Sequence, residues 1–268
     1  MRQHSSLARL LSSAAIAAIF AVGLCGCQTT SDITGLLSPR PQARPDADPR
    51  RTAEAYGERY RANPKDADTA LAYGQALRAT GQRSQAAAVL EQATIAHPGN
   101  KALLAAYGRA LADNGNFQGA LDVLTRAHSP DNPDWRILSV QGTALDQLGR
   151  HDEARAYYAS ALKIVPGEPS VLSNLGLSYV LSKDLPKAEE TLRQAYSSGR
   201  ADARVRQNLG LAVGLQGRFA EAESIVKADL PADEAAANVA YLKQMLSRKD
   251  TPSLSAGKVP MASLDQPG

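Results

Sequence analysis

The chain has 268 residues, of which 44% are hydrophobic and 21% charged, and its 30 Lys and Arg residues exceed its 27 Asp and Glu residues to give a formal net charge of +3. So small an excess gives little support to nucleic-acid binding, which requires a clustered basic face. Aromatic residues are scarce, at 5%, and alanine is abundant, a composition that favours tightly stacked helices and gives no sign of strands.

Residues 1–26 have the pattern of an export signal. Two arginines and no acidic residue accompany an apolar core at positions 10–24, as is typical of segments that direct secretion. The sequence Leu-Cys-Gly-Cys at 24–27 then resembles the lipobox of bacterial lipoproteins. This resemblance implies cleavage after Gly26 and lipidation of Cys27. An ordinary secretory signal with two incidental cysteines is the alternative.

Lipidation of Cys27 has consequences for location and charge. Two or more acyl chains anchor a protein stably to a membrane. Because Gln28 follows instead of the aspartate that retains many lipoproteins in the inner membrane, we expect outer-membrane sorting, facing the periplasm. The departing signal removes one cysteine, so no disulfide is expected, and leaves 28 basic residues against 27 acidic ones. Residues 27–50 contain closely spaced prolines and predict a disordered tether.

A 34-residue period organises the central part of the chain. A small residue lies twelve positions after each repeated glycine, and a large apolar residue, usually leucine, lies four positions beyond it. A glycine inside a helix costs about 1 kcal/mol relative to alanine, so five in register indicate a repeated close contact between paired antiparallel helices. The glycines are Gly74, Gly108, Gly142, Gly176 and Gly210.

This pattern resembles the tetratricopeptide repeat, which has 34 residues with Leu-Gly, a tyrosine, an alanine and a closing proline at set positions. Leu175-Gly176 with Tyr179 shows the first half of the motif, and Ala161 with Pro166 shows the end. The resemblance implies an all-α protein, a right-handed α-solenoid of about five full repeats.

Capping helices are predicted at both ends of this solenoid, which we expect to span residues 51–248. Residues 51–62 indicate the second helix of an incomplete repeat, and a further helix is predicted from about 231 to 248. Terminal units are needed because each repeat leaves an apolar face open to the next. Residues 249–268 are rich in Ser, Pro and Gly and predict disorder. The final helix has as buried candidates Ala236, Val239, Ala240, Leu242 and Leu246.

The sequence offers no group of residues suited to catalysis or metal binding. His97, His128 and His151 lie near predicted loops or helix starts, and none has a second ligand at the spacing that metal sites use. No phosphate-binding glycine loop or nucleophile elbow is found. We therefore expect a protein that is not an enzyme and that needs no cofactor or metal.

The tetratricopeptide resemblance also implies a binding groove, because the first helix of each pair lines the concave side in such proteins. An extended or helical peptide would lie along a groove that is polar at one end and partly apolar at the other. Asn174 and Asn208 each precede Leu-Gly. In related repeats an asparagine there pairs with the ligand backbone; the alternative is a hydrogen bond within the helix pair. The other candidates are Leu177, Leu211, Leu181, Leu215, Arg204, Gln207, Arg109 and Arg136.

Two C-terminal segments narrow the resemblance further. Residues 205–231 and 238–246, together with the Cys-Gln-Thr-Thr sequence at 27–30, resemble the TadD lipoproteins of the tight-adherence (Flp) pilus assembly system. This implies a pilotin-like factor that binds a secretin subunit or another pilus component. Two alternatives remain: an envelope adaptor for outer-membrane protein assembly or peptidoglycan hydrolases, and an intracellular adaptor whose N-terminus only mimics a signal.

Overall fold

The computed structural model describes residues 48–129 and 131–250, with side chains to residue 247. The predicted lipobox at Cys27, residues 28–47 of the predicted tether and residues 251–268 of the predicted tail lie outside the described residues. Within the described part of the chain, the secondary structure is twelve α-helices and one isolated bridge between Ser129 and Asn132. In chain order the helices are α1 (Pro49–Ala62), α2 (Ala67–Ala79), α3 (Arg83–Ala96), α4 (Lys101–Asp113), α5 (Phe117–Ala127), α6 (Trp135–Gln147), α7 (His151–Ile164), α8 (Pro169–Leu181), α9 (Leu185–Ser197), α10 (Ala203–Leu215), α11 (Phe219–Val226) and α12 (Ala232–Asp250).

The helices form five consecutive pairs, from α2 and α3 to α10 and α11, in a solenoid, which confirms the all-α repeat fold. The repeated glycines lie where the two helices of each pair touch. A Cβ atom on Gly74 would come within 2.5 Å of Leu90 Cγ, and one on Gly142 within 2.6 Å of Tyr158 Cε1. Only glycine therefore fits these contacts without displacing the large apolar residue opposite, as the 34-residue period predicts.

Capping residues and turns fix the helix boundaries. The Asp66 side chain accepts a hydrogen bond from the Thr69 backbone N–H at the start of α2, and Asn116 does the same for Gly119 in α5. Such caps satisfy N–H groups that have no partner within the helix. Gly81 ends the first helix of its repeat with φ 76°, whereas Lys183 takes the corresponding conformation in the fourth repeat with φ 66°. The fourth turn therefore keeps its geometry without a glycine.

The array curves so that the first helix of each repeat lies on the inner side. Each of α2, α4, α6 and α8 contacts the first helix of the next repeat directly. Among the described helices, the second helices α3, α5, α7, α9 and α11 make no comparable contact with one another. The row of first helices is therefore the more closely spaced one, and its exposed side is the concave surface of the solenoid.

Single helices cover both ends of the array. At the N-terminal end α1 packs on α2, where the rings of Tyr60 and Tyr73 lie 5.5 Å apart. At the other end α12 packs against α10 and α11. Its buried stripe contains Ala235 and Leu242, with Val239 and Leu246 half-buried.

The prediction that Ala236 and Ala240 are buried is wrong, since both are exposed. They follow by one position the residues of a stripe that recurs every three or four residues, and the helical rotation of about 100° per residue turns them toward solvent.

Candidate functional site

The concave groove is the surface that α2, α4, α6, α8 and α10 present on the inner side of the solenoid. Its C-terminal half is partly apolar. Leu177 and Leu181 on α8 and Leu215 on α10 are half-buried, so each keeps some surface available to a ligand. These three leucines lie in the half of the groove for which the sequence predicts a partly apolar surface.

Leu211 does not belong to the open groove surface, contrary to the prediction. Its side chain is only 5% exposed and joins the apolar cluster that contains Val180 and Leu242. The cause is the capping helix: α12 packs on α10 in the position that the first helix of a sixth repeat would occupy. Register alone could not reveal this contact, because it depends on how far α12 wraps over α10.

Asn174 and Asn208 are half-buried and take part in a ladder that joins successive inner helices. Asn174 Nδ2 donates to Ser139 Oγ on α6 at 3.1 Å, and Asn208 Nδ2 donates to Ser173 Oγ on α8 at 3.0 Å. Both serines are buried. The hydrogen bonds thus run between neighbouring repeats, and not within a helix pair as the alternative interpretation expected.

The hydrogen bonds to serine occupy only part of the hydrogen-bonding capacity of the two asparagine amides. An asparagine side chain has two N–H donors and one carbonyl acceptor, and each bond to serine engages a single donor. Pairing with a ligand backbone through the remaining groups stays a prediction, with the added condition that the ligand binds beside an inter-repeat hydrogen bond.

Three other predicted groove residues are half-buried and polar. The Cζ atom of Arg136 lies 4.4 Å from the centre of the Trp135 ring, so the indole supports the guanidinium by a cation–π contact. Arg204 Nη2 lies 4.0 Å from an Asp202 carboxylate oxygen. Gln207 lines a small apolar cavity of about 40 Å³ between α10, α11 and α12.

Arg109 is buried, whereas the prediction placed it on the groove surface. Only 8% of the residue is exposed. It lies on α4 between the inner helices of the flanking repeats, and burial lowers the pKa of its guanidinium, with the nearby Arg78 charge acting in the same direction. Among the described residues, no acceptor binds its Nε or Nη2. The groove floor at this point therefore contains a cation whose Nε–Nη2 edge has no hydrogen-bonded partner in the described part of the chain.

A buried polar cluster in the third repeat was not anticipated as a unit. The buried Asp146 carboxylate accepts hydrogen bonds from His151 Nδ1 at 2.9 Å, Tyr158 Oη at 2.9 Å and Ser178 Oγ at 2.7 Å. Desolvation raises the pKa of the Tyr158 phenol well above its ordinary value, and the Asp146 charge adds to this. Because Ser178 belongs to the next repeat, the cluster ties repeats three and four together. Asp146 on α6 and Tyr158 on α7 lie twelve positions apart on the two helices of one repeat. This placement is the sequence signal that could have indicated their contact.

Two further findings concern metal binding and membrane spanning. Within residues 48–129 and 131–250, no group of three or more His, Cys, Asp or Glu side chains could hold a metal ion. Over the same part of the chain, every helix is too short or too polar to cross a lipid bilayer.

Comparison with known proteins places these features in a wider group. The tetratricopeptide-repeat profile matches residues 79–142, 111–172 and 145–210. No curated protein matches the chain. Among solved structures, PilW, described as a widely conserved type IV pilus biogenesis factor, superimposes with a TM-score of 0.63 at 18% identity, covering 72% of this chain and 91% of PilW.

Two further structures show how broadly the architecture occurs. The anaphase-promoting-complex assembly Cut9–Hcn1 gives a TM-score of 0.62 at 18% identity, over 75% of this chain and 40% of that one. A thermophilic tetratricopeptide-repeat protein of Thermus thermophilus, TTC0263, gives 0.56 at 22% identity, over 68% of this chain and 98% of that one. At such identities the likeness concerns the fold alone.

Proposed function

The chain is a tetratricopeptide-repeat protein, and we propose that it is a lipid-anchored, non-enzymatic scaffold that binds a protein segment in its concave groove during pilus assembly at the outer membrane. Repeats of this kind present extended concave surfaces to protein partners. In this proposal the solenoid binds the partner, and the lipid-modified N-terminus determines where in the cell the protein lies.

The observation that carries the binding role is the composition of the concave groove. Its C-terminal half offers half-buried leucines on α8 and α10 beside the half-buried amides of Asn174 and Asn208. Apolar pockets next to groups that can pair with a backbone are what an extended or helical segment requires. The inner helices are held in place by the Asn-to-Ser ladder, so the surface is formed before the partner arrives and less ordering entropy opposes binding.

The proposed location depends on Cys27 and the tether. A diacylated cysteine with an acylated amine would hold the chain at the outer membrane, facing the periplasm. As a flexible coil, the roughly 22 residues between the lipid and α1 would span about 25 Å. The groove would then sit off the membrane surface, where it can reach a membrane-inserted partner during its assembly.

The pilus role rests on the sequence resemblance of residues 205–231 and 238–246 to the TadD lipoproteins. PilW, whose fold is similar, is described as a type IV pilus biogenesis factor, and a role in pilus assembly is consistent with that neighbour. In this role the protein would act like a pilotin, capturing a segment of a secretin subunit and promoting its localisation or assembly.

The test is co-purification from detergent-solubilised envelopes of the native host, with the tagged full-length chain as bait and quantitative mass spectrometry as readout. Leu181→Ser removes a half-buried leucine of the groove. Ile95→Ser is the matched control, since Ile95 lies on the outer helix α3 and is 68% exposed. We expect a secretin subunit to be enriched with the wild-type chain and the control variant, and to be reduced with Leu181→Ser.

Other outcomes would redirect the proposal. Recovery of barrel-assembly components or peptidoglycan hydrolases, lost with Leu181→Ser, would keep the groove and move the function to a general envelope adaptor. Equal recovery of every partner with Leu181→Ser and Ile95→Ser would show that the concave groove is not the binding surface.

A further inference from the structure

Polar side-chain contacts join the inner helices at three of the four junctions between full repeats, and are missing at the remaining one. Arg78 on α2 forms an ion pair with Asp113 on α4 at 2.6 Å. The Asn-to-Ser ladder joins α6 to α8 and α8 to α10. At the central junction, where α4 and α5 meet α6, the described part of the chain contains no side-chain hydrogen bond or ion pair between α4 and α6.

The sequence explains why the ladder stops at the central junction. Ala105 on α4 stands 34 positions before the ladder serine Ser139. Val140 on α6 stands 34 positions before the ladder asparagine Asn174. Alanine and valine have no hydrogen-bonding group on their side chains, and both residues belong to one apolar cluster. Apolar contact is non-directional, so it holds α4 and α6 together without fixing the angle between them.

The central junction is also the least extensively packed of the four. Both α4 with α6 and α5 with α6 share less contact than the corresponding helices at the other junctions between full repeats. The hydrogen bond that crosses from α6 to α5, Gln141 Nε2 to Thr125 Oγ1, is long at 3.5 Å. Seven residues separate α5 from α6, whereas four or five separate the helices at the other junctions. The connecting chain therefore restrains the two sides of this junction least.

Unsatisfied polar atoms concentrate at the same place. Three of the four buried side-chain atoms that lack a hydrogen-bond partner within the described residues lie here, namely Nε and Nη2 of Arg109 and Nδ1 of His128. Across the junction Arg109 meets the charges of Arg136 and Asp134, whose effects on it oppose one another. Buried polar groups without partners destabilise the packed arrangement, so opening this junction is opposed by less free energy than opening the others.

We propose that the central junction is the hinge of the solenoid, about which the segment α1–α5 and the segment α6–α12 reorient. The stability of a repeat array is approximately a sum of repeat and nearest-neighbour interface contributions, so motion concentrates at the weakest interface. Within the second segment the ladder and the Asp146 cluster hold the inner helices together. Rotation at the hinge changes the angle between the two halves of the concave groove. The hinge is a property of the chain alone and does not depend on the identity of the partner.

Electron paramagnetic resonance distances between two spin labels test the hinge in the purified full-length chain in detergent. Positions 88, 156 and 224 are exposed and equivalent on the outer helices α3, α7 and α11. The pair Ala88→Cys with Ala156→Cys spans the central junction. The pair Ala156→Cys with Ser224→Cys spans the same number of repeats without it and is the matched control. The wild-type chain treated with the same label controls for reaction at Cys25 and Cys27.

We expect a broader distance distribution for the 88/156 pair than for the 156/224 pair. Ala105→Ser combined with Val140→Asn places the ladder residues at the central junction. A hydrogen bond of this kind shifts an opening equilibrium by about fivefold. In this repaired variant the fraction of molecules outside the main 88/156 distance peak should therefore fall about fivefold, while the 156/224 distribution stays unchanged.

Equal widths for the two pairs in the otherwise wild-type chain would overturn the proposal. An unchanged 88/156 distribution in a folded repaired variant would overturn it as well. If the repaired variant does not fold, the reverse exchange decides. Ser173→Ala combined with Asn208→Val removes the ladder between α8 and α10 and should broaden the 156/224 distribution alone, and an unchanged 156/224 distribution in that variant would contradict the role of the ladder in fixing the junctions.

Discussion

Replacing Gly142 with alanine tests the close helix contact on which the repeat depends. Two effects oppose each other at this position. Alanine is the better helix former, by up to about 1 kcal/mol. Its Cβ, however, would lie 2.6 Å from Tyr158 Cε1 and 2.8 Å from Tyr158 Cζ, and forcing extra volume into a packed interface costs about 1–3 kcal/mol.

The outcome depends on whether the Tyr158 ring can move. The ring is fully buried and its hydroxyl donates to Asp146 Oδ2 at 2.9 Å, so displacing it also strains a buried hydrogen bond. We therefore expect the steric overlap with the Tyr158 ring to outweigh the gain in helix propensity. The net loss should be about 1–2 kcal/mol in the free energy of unfolding. For a folded part of this size, that corresponds to a fall of about 2–8 °C in Tm. Because each repeat is stabilised by its neighbours, the loss should appear in the main unfolding transition.

Circular dichroism at 222 nm during heating measures this Tm, with two controls. Gly99→Ala adds a methyl group where no atom lies within 4 Å, and should change stability by no more than about 0.5 kcal/mol. In a Tyr158→Leu background, Gly142→Ala should cost less than in the wild type, since a leucine end can rotate while the anchored ring cannot. A Tm for Gly142→Ala equal to or above that of the wild type would refute the close-packing argument.

Two further predictions concern the anchor and the groove. Cys27→Ser should leave the helical signal and Tm of the chain unchanged while shifting the protein from the membrane to the soluble fraction, because anchor and solenoid are separate parts; unchanged fractionation would count against lipidation. Asn174→Ala combined with Asn208→Ala should weaken partner recovery from envelopes several-fold and, by removing two part-buried hydrogen bonds to serine, lower stability by about 1–3 kcal/mol. Wild-type partner recovery in a folded double variant would exclude pairing between these amides and the ligand.

The fold could be predicted from the sequence because its determinants are local and periodic. Gly74 and Gly142 mark the helix contact through the absence of a side chain, and a 34-residue spacing leaves little choice about how successive pairs stack. Lys183 shows the limit of such rules: the fourth repeat lacks the usual turn glycine, yet the backbone adopts φ 66° there, because the flanking helices fix the turn.

The site could be predicted only in part, because exposure in a superhelix depends on the neighbouring repeats. Register correctly assigned Asn174 and Leu181 to the inner helices, where both are half-buried. It failed for Arg109 and Leu211, which lie on inner helices too but are covered, the first between adjacent repeats and the second by α12. Which inner residues remain open is set by side-chain volumes one repeat away in space, a quantity that a single-repeat pattern does not contain.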